Sequence, residues 1–156
     1  MTRPTPRDRR NVCLNRRARF EFELFEIYEA GLMLLGSEVK SLRGGKGNME
    51  DAWVGFDDRG RPMLMGAHIA PYPQANIQNH EPTRPRPMLM HWEEIRRLKA
   101  RVKEKGLTLV PMQMYFQGPW VKVEFAVGRG KKLHDKRQTI REREDTREAQ
   151  RAIRGR

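Results

Sequence analysis

The sequence predicts a mainly β protein with added helices, an antiparallel body set between two basic ends. Apolar and polar residues alternate over short stretches bounded by Gly and Pro, which is the strand pattern. A single segment near residue 95 carries a helical period with matching ends. All of the formal net charge of +12 sits at the termini: residues 1–19 hold seven Arg against Asp8, and residues 129–156 hold eleven Lys and Arg against five acids. Residues 20–128 are neutral, with fourteen bases and fourteen acids. A chain of 156 residues fits one domain plus tails.

Residues 1–14 contain Pro4, Pro6 and several charges without apolar periodicity, and are expected to be a basic arm lacking fixed structure. The body is expected over 15–128. Phe20, Phe22 and Leu24 alternate with Glu21 and Glu23, then the parity flips to Phe25 and Ile27, which predicts a strand with a bulge. A turn at Ala30 and Gly31 should lead to a second strand over Leu32–Leu35, and Ser37 is a candidate cap for a short helix holding Glu38, Val39, Lys40 and Leu42. The Gly-rich stretch at 44–48 returns the chain to a strand at Ala52–Phe56, and Asp57–Gly60 forms a hairpin turn into Met63–Met65. Five prolines over residues 66–88 predict a long structured excursion without ladder or helix.

From Trp92 to Lys105, Ile95, Leu98 and Val102 fall at helical spacing, with Glu93 and Glu94 in the first turn, Lys103 and Lys105 in the last, and Gly106 as the stop. Two strands follow, Leu107–Phe116 and Val121–Val127, and Pro111 marks its strand as an edge or a bulge. About six strands and one substantial helix predict a small antiparallel β-barrel or sandwich of the OB type. Residues 129–156 form a basic tail. Thr139 and Glu142 have capping-box spacing, but only Leu133, Ile140 and Ile153 are strongly apolar, so the tail is expected to be disordered alone and helical against RNA.

These features exclude several function classes. The longest uncharged apolar run, Ala30–Gly36, is far short of the roughly 20 residues a spanning helix needs, so no membrane partner is expected. The basic N-terminal segment has no apolar stretch behind it, so a cytoplasmic protein is expected. Cys13 is the only cysteine, and His68, His80, His91 and His134 lie at least ten residues apart, so neither a disulfide nor a metal or other cofactor is expected. Without a nucleophile or acid–base constellation the chain reads as a non-enzyme; the rival enzymatic reading is an RNA-processing activity using Glu38 and a metal. A pI near 10.5 with segregated charge points to a polyanion, namely RNA. On residue chemistry alone Glu38 reads as an ion partner of Lys40 or Arg43 within its helix. Arg84 and Arg86, among prolines, read either as phosphate ligands or as a solvated loop.

Four ordered blocks resemble the SsrA-binding protein family: Asn15-Arg16-Arg17-Ala18-Arg19, GSEVKSLRGGKGN at 36–48, EKGLTLVPMQMYF at 104–116 and GRGKKLHDKR at 128–137. The resemblance implies an OB-fold-like barrel with flanking helices that binds the tRNA-like domain of transfer-messenger RNA (tmRNA). It further implies delivery of that RNA to stalled ribosomes for trans-translation, with elongation factor Tu and alanyl-tRNA synthetase as partners through tmRNA. Carried over by motif position, the tmRNA face is Asn15, Arg16, Arg17, Arg19, Glu38, Lys40, Ser41, Arg43, Lys46 and Asn48, with Arg84 and Arg86. In that setting Glu38 would accept from exocyclic amines or a 2′-OH. Gly130, Lys131, Lys132, His134, Asp135, Lys136 and Arg137 would serve the ribosomal decoding centre, with His134 stacking on a ribosomal RNA base and the tail lying in the empty mRNA channel. Pro87 stands where the family often has Lys, and Asp145 where many members carry an aromatic residue shortly after the tail's KER segment. The alternative reading is a general OB-fold RNA-binding or ribosomal protein.

Overall fold

The computed structural model describes residues 9–155; the side chains of residues 76 and 133–135 lie outside the described residues, as do residues 1–8. The body is built around two long antiparallel strands, β8 (Leu107–Gln117) and β9 (Trp120–Gly130), joined at Gly118, whose φ of 60° suits glycine in a tight turn. Alternation in β9 works as the sequence predicts: Val121, Val123, Phe125 and Val127 all enter the core. Pro111 is accommodated by a register shift between Pro111 and Gln113, so it marks a bulge, and β8 is a central strand with neighbours on both sides.

On the far side of β9 lies β2 (Phe22–Leu32). Its ladder shifts between Leu24 and Ile27, so the predicted bulge is present. Two expectations fail here. The chain does not turn at Ala30 and Gly31, which stay in the ladder opposite Val123 and Lys122; and the residues that point inward after the bulge are Tyr28, Ala30 and Leu32, leaving Phe25 and Ile27 exposed. Apolar character alone did not reveal which parity the core would take.

β2 next pairs with β7 (Arg86–Leu89), which pairs with β5 (Pro62–Met65), which pairs with β4 (Trp53–Phe56). The turn between β4 and β5 is closed by Asp57 Oδ1, which accepts the Arg59 and Arg61 N–H groups at 3.0 and 2.8 Å. β7 lies inside the Pro-rich segment expected to hold no ladder. Pro87 has no N–H to give the ladder but still supplies its carbonyl, which accepts the Met33 N–H at 3.0 Å. The rest of that segment holds β6 (His68–Ile69), paired with β3 (Gly47–Asn48), and a 3-10 turn over Pro73–Gln78.

The sheet order is therefore β1-β8-β9-β2-β7-β5-β4, where β1 is Arg9–Leu14. Residues 9–14, expected to be unstructured, find a partner because β8 offers a free edge. β4 packs beside β8 without a ladder, so the barrel is nearly but not fully closed.

Four helices decorate the described chain: α1 (Ala18–Glu21), α2 (Gly36–Arg43), α3 (Trp92–Val102) and α4 (Leu133–Arg154). α3 buries Leu98, as its period predicts. α4 starts at Leu133, before Thr139, the residue with cap-like spacing. Its residues from Arg141 onward are exposed.

Candidate nucleic-acid interface

The short helix α2 would be marginal by itself, and side chains from the Pro-rich segment fix it. Glu38 is the centre of this arrangement and is 0% exposed. Its Oε1 accepts the Leu35 N–H at 2.9 Å and Arg84 Nη2 at 2.6 Å, while Oε2 accepts Arg86 Nε at 2.5 Å. Burial pushes the carboxyl pKa up, but these hydrogen bonds outweigh it and hold the group below its ordinary value. Arg86 is also fully buried, donating from Nη1 to the Ala67 carbonyl at 2.6 Å and from Nη2 to Pro82 at 2.9 Å.

Three further links tie α2 to the same segment. The Ser41 hydroxyl donates to the Ala70 carbonyl at 2.5 Å; Ser37 Oγ meets His80 Nδ1 at 2.8 Å; and the Lys40 ammonium sits 5.5 Å from the Tyr72 ring centroid. Ser37 is thus not the helix cap. Glu38 fills that role, reaching back to the Leu35 N–H.

What remains on the surface is cationic. Lys40, Arg43 and Lys46 are exposed, Arg84 is half-buried, and Arg10 of β1 joins them by donating to the Arg43 carbonyl at 2.8 Å. Asn48 is exposed with its Oδ1 accepting the Glu50 N–H. Glu38, Ser41 and Arg86 were expected to face RNA, but their polar groups are buried and spent on protein partners. Glu38 cannot accept from a base in this arrangement, and its partners come from residues 84 and 86, not from within its helix.

A second basic group gathers where α1 meets the start of α4. Arg16, Arg17 and Arg19 are exposed on and just before α1, the helix that packs against the start of α4. Lys131 donates its N–H to the Glu21 carbonyl at 2.8 Å, and its Nζ to the Arg19 carbonyl and Thr139 Oγ1, each at 2.9 Å. Arg143 lies over the Phe20 ring at 5.7 Å. Lys132 and Arg137 are exposed and Lys136 is partly so; Gly130 ends β9 opposite Phe22. The His134 and Asp135 side chains are outside the described residues. Asn15 is buried: its N–H donates to Met112 and its Nδ2 to Pro111, pinning the chain before α1 onto β8.

Sequence reasoning missed the places of Arg10 and Tyr72 and the pairing of Ser37 with His80. Arg10 carried a signal in its charge, but its place depended on β1 forming. It also missed a cluster on the sheet surface in which Glu29 accepts from Tyr115 Oη, from Lys122 Nζ at 2.9 Å and from Arg9 Nη2 at 2.9 Å. Burial and the Glu29 carboxylate push the Tyr115 hydroxyl pKa well up, so it serves as a donor and not as an acid. Among the described residues no three His, Cys, Asp or Glu side chains gather as a metal site. The chemistry on offer is multipoint donation of hydrogen bonds and positive charge to a polyanion.

The family model described as SmpB protein matches residues 12–155. The chain belongs to the SmpB family. Among SmpB relatives, the SsrA-binding protein of Synechococcus sp. (strain JA-3-3Ab) is 52% identical over 143 residues, covering 91% of this chain and 92% of its own. That of Desulforudis audaxviator is 51% identical over 146 residues, covering 94% and 95%. A solved SmpB structure described as "tmRNA-SmpB: a journey to the center of the bacterial ribosome" matches with a TM-score of 0.66 at 43% identity, covering 83% of this chain and 94% of that one. The expected mainly antiparallel β architecture with flanking helices is that of the family, with the barrel left open.

Proposed function

We propose that this SmpB-family chain binds tmRNA through its tRNA-like domain and delivers it to stalled ribosomes for trans-translation. The observation that carries this reading is the arrangement of charge on a family-matched fold. A neutral barrel presents one clasped cationic face around α2, and a separate basic helix, α4, stands away from the body. The first suits a structured RNA, and the second suits the phosphate-lined mRNA channel and decoding centre of a ribosome without messenger. The body, residues 15–128, holds tmRNA; the tail, from 129 onward, acts in the ribosome. Lys132, His134, Asp135, Lys136 and Arg137 meet the decoding centre, whereas Lys131 orients the tail. Elongation factor Tu and alanyl-tRNA synthetase are met through tmRNA.

The chain acts as an RNA-binding factor located with ribosomes in the cytoplasm. Among the described residues no helix is long and apolar enough to cross a membrane. Glu38 is unsuited to a metal-dependent cleavage role because both its oxygens already accept from Arg84, Arg86 and Leu35. A general OB-fold RNA-binding or ribosomal protein would bind structured RNAs alike, and the family match favours tmRNA over that reading.

The test pairs binding to the tRNA-like domain with tagging of a stalled peptide, for the intact chain and for one ending at Arg129. Retained binding with lost tagging is expected. Loss of binding in the truncated chain would make the tail a mere affinity arm and overturn the division of labour.

A further inference from the structure

Arg84 differs from the other cations on the α2 face in being held on one edge by a buried carboxylate and open on the other. Its Nη2 is saturated, donating to Glu38 Oε1 at 2.6 Å and to the Met33 carbonyl at 3.3 Å. Its Nε is buried and has no hydrogen-bond partner among the described residues. Nη1 makes only a long contact, 3.4 Å, to the Pro85 carbonyl, and the side chain is 27% exposed. Two acceptors thus fix the guanidinium plane and leave Nη1 with donors to spare. Pro82, Pro85 and Pro87 restrict the backbone that carries it.

A buried ion pair such as Glu38–Arg86 is weak support for stability, because desolvation offsets most of the attraction and apolar replacements often serve as well. Its distinctive product here is orientation. Arg86 is fully buried and each of its nitrogens donates to Glu38, Ala67 or Pro82, so it does not reach a ligand; its effect is to hold the carboxylate that holds Arg84.

We propose that Glu38 is the positioning residue of the tmRNA face, fixing Arg84 so that its Nη1 edge donates to an RNA backbone phosphate, with Arg86 locking Glu38 in place. This rests on the reading that the α2 face binds tmRNA. The ordering of a long, flexible side chain is completed before the RNA arrives, which raises affinity without any further contact. A lysine cannot substitute, because a single ammonium lacks the fork that holds Glu38 with one arm and a phosphate with the other.

The experiment measures affinity for the tRNA-like domain across a salt series, using the full chain and the variants Arg84→Gln, Arg84→Lys, Glu38→Gln, Glu38→Gln with Arg84→Gln, and Lys40→Gln with Arg43→Gln. Thermal unfolding confirms that each is folded at the assay temperature. Arg84→Gln is expected to bind about tenfold more weakly, with a salt slope lower by about one, as for a lost phosphate contact. Glu38→Gln should match it, and the Glu38/Arg84 double variant should be no weaker than either single. Additive losses in that double variant would overturn the proposal. Should Glu38→Gln fail to fold, Arg84→Lys decides: a loss of about tenfold supports a held guanidinium, and wild-type binding overturns it. The Lys40/Arg43 variant separates the two readings. If it binds as wild type, the α2 face is not the tmRNA face and both fall; if it weakens while Arg84→Lys does not, only the clasp falls.

Discussion

Two basic helices, α2 and α4, are held in opposite ways. The eight residues of α2 are surrounded: Glu38, Ser41 and Leu42 are buried, and Arg84, Arg86, His80, Ala70 and Tyr72 grip it from the Pro-rich segment. The 22 residues of α4 extend about 33 Å. Among the described side chains, their named contacts with the body lie near their start, in the Lys131 contacts at the junction and Arg143 over Phe20. A short helix too small to be stable alone has been given a fixed outline, whereas a long one has been left to its own hydrogen bonds. Surfaces that must match one folded RNA benefit from being set beforehand; a segment that must report whether a channel is empty benefits from having little else to bind.

That contrast can be broken most forcefully in the core. Phe125→Ala removes a fully buried ring packed against Tyr28 and should cost about 4 kcal/mol in denaturant unfolding, whereas Ile153→Ala in α4 should cost less than about 0.5 kcal/mol. Comparable losses would mean that α4 is part of the body. Next in size is Arg86→Met, which takes from the buried Glu38 carboxylate its fully buried ion partner, leaving Arg84 and the Leu35 N–H, and should cost about 3 kcal/mol by the same measurement, although it deletes no surface contact.

Acid should separate the two helices further. Because Glu38 titrates below its ordinary value of 4.5 when folded, its contribution is fully present above that value and is lost as pH falls through the lower folded one; Glu29 acts in the same direction. The unfolding midpoint of the body should therefore drop as pH falls below about 4.5, and Arg86→Met should flatten that drop; a variant that keeps the full pH dependence would show that the clasp is not its source. The smallest expected effect is Phe20→Ala, worth about 0.5 kcal/mol or less in global stability. Its signature would instead be altered distances between body and α4 labels, and unchanged distances would show that Lys131 alone sets the tail's direction.

What was legible in the sequence follows the same divide. α3 and β9 could be read because their periods and their buried faces agree, with Leu98 in the one and Val123 to Val127 in the other. β7 could not, because Pro85 and Pro87 argue against a ladder and the strands it pairs with, β2 and β5, are set by residues far away in sequence. Phe25 and Ile27 misled because a bulge hides which parity meets the core. The α2 block was located from its motif, but the role of Glu38 was not. Its partners lie 46 and 48 residues away, a separation that helical spacing cannot report. The start of α4 was misplaced because Thr139 has cap-like spacing yet sits inside the helix, bonded to Lys131.

The open barrel leaves one more consequence. A sheet that does not close has two rims, and an unpaired rim invites another chain to add a strand, the first step toward aggregation. At one rim β4 is only four residues long and lies against β8. At the other, β1 presents exposed Arg9 and Arg10 and a register break between Asn11 and Cys13. A second copy attempting to extend the sheet at β1 would meet a kinked edge flanked by Arg9 and Arg10, each already held by its own chain through Glu29 and the Arg43 carbonyl, a poor template for strand addition.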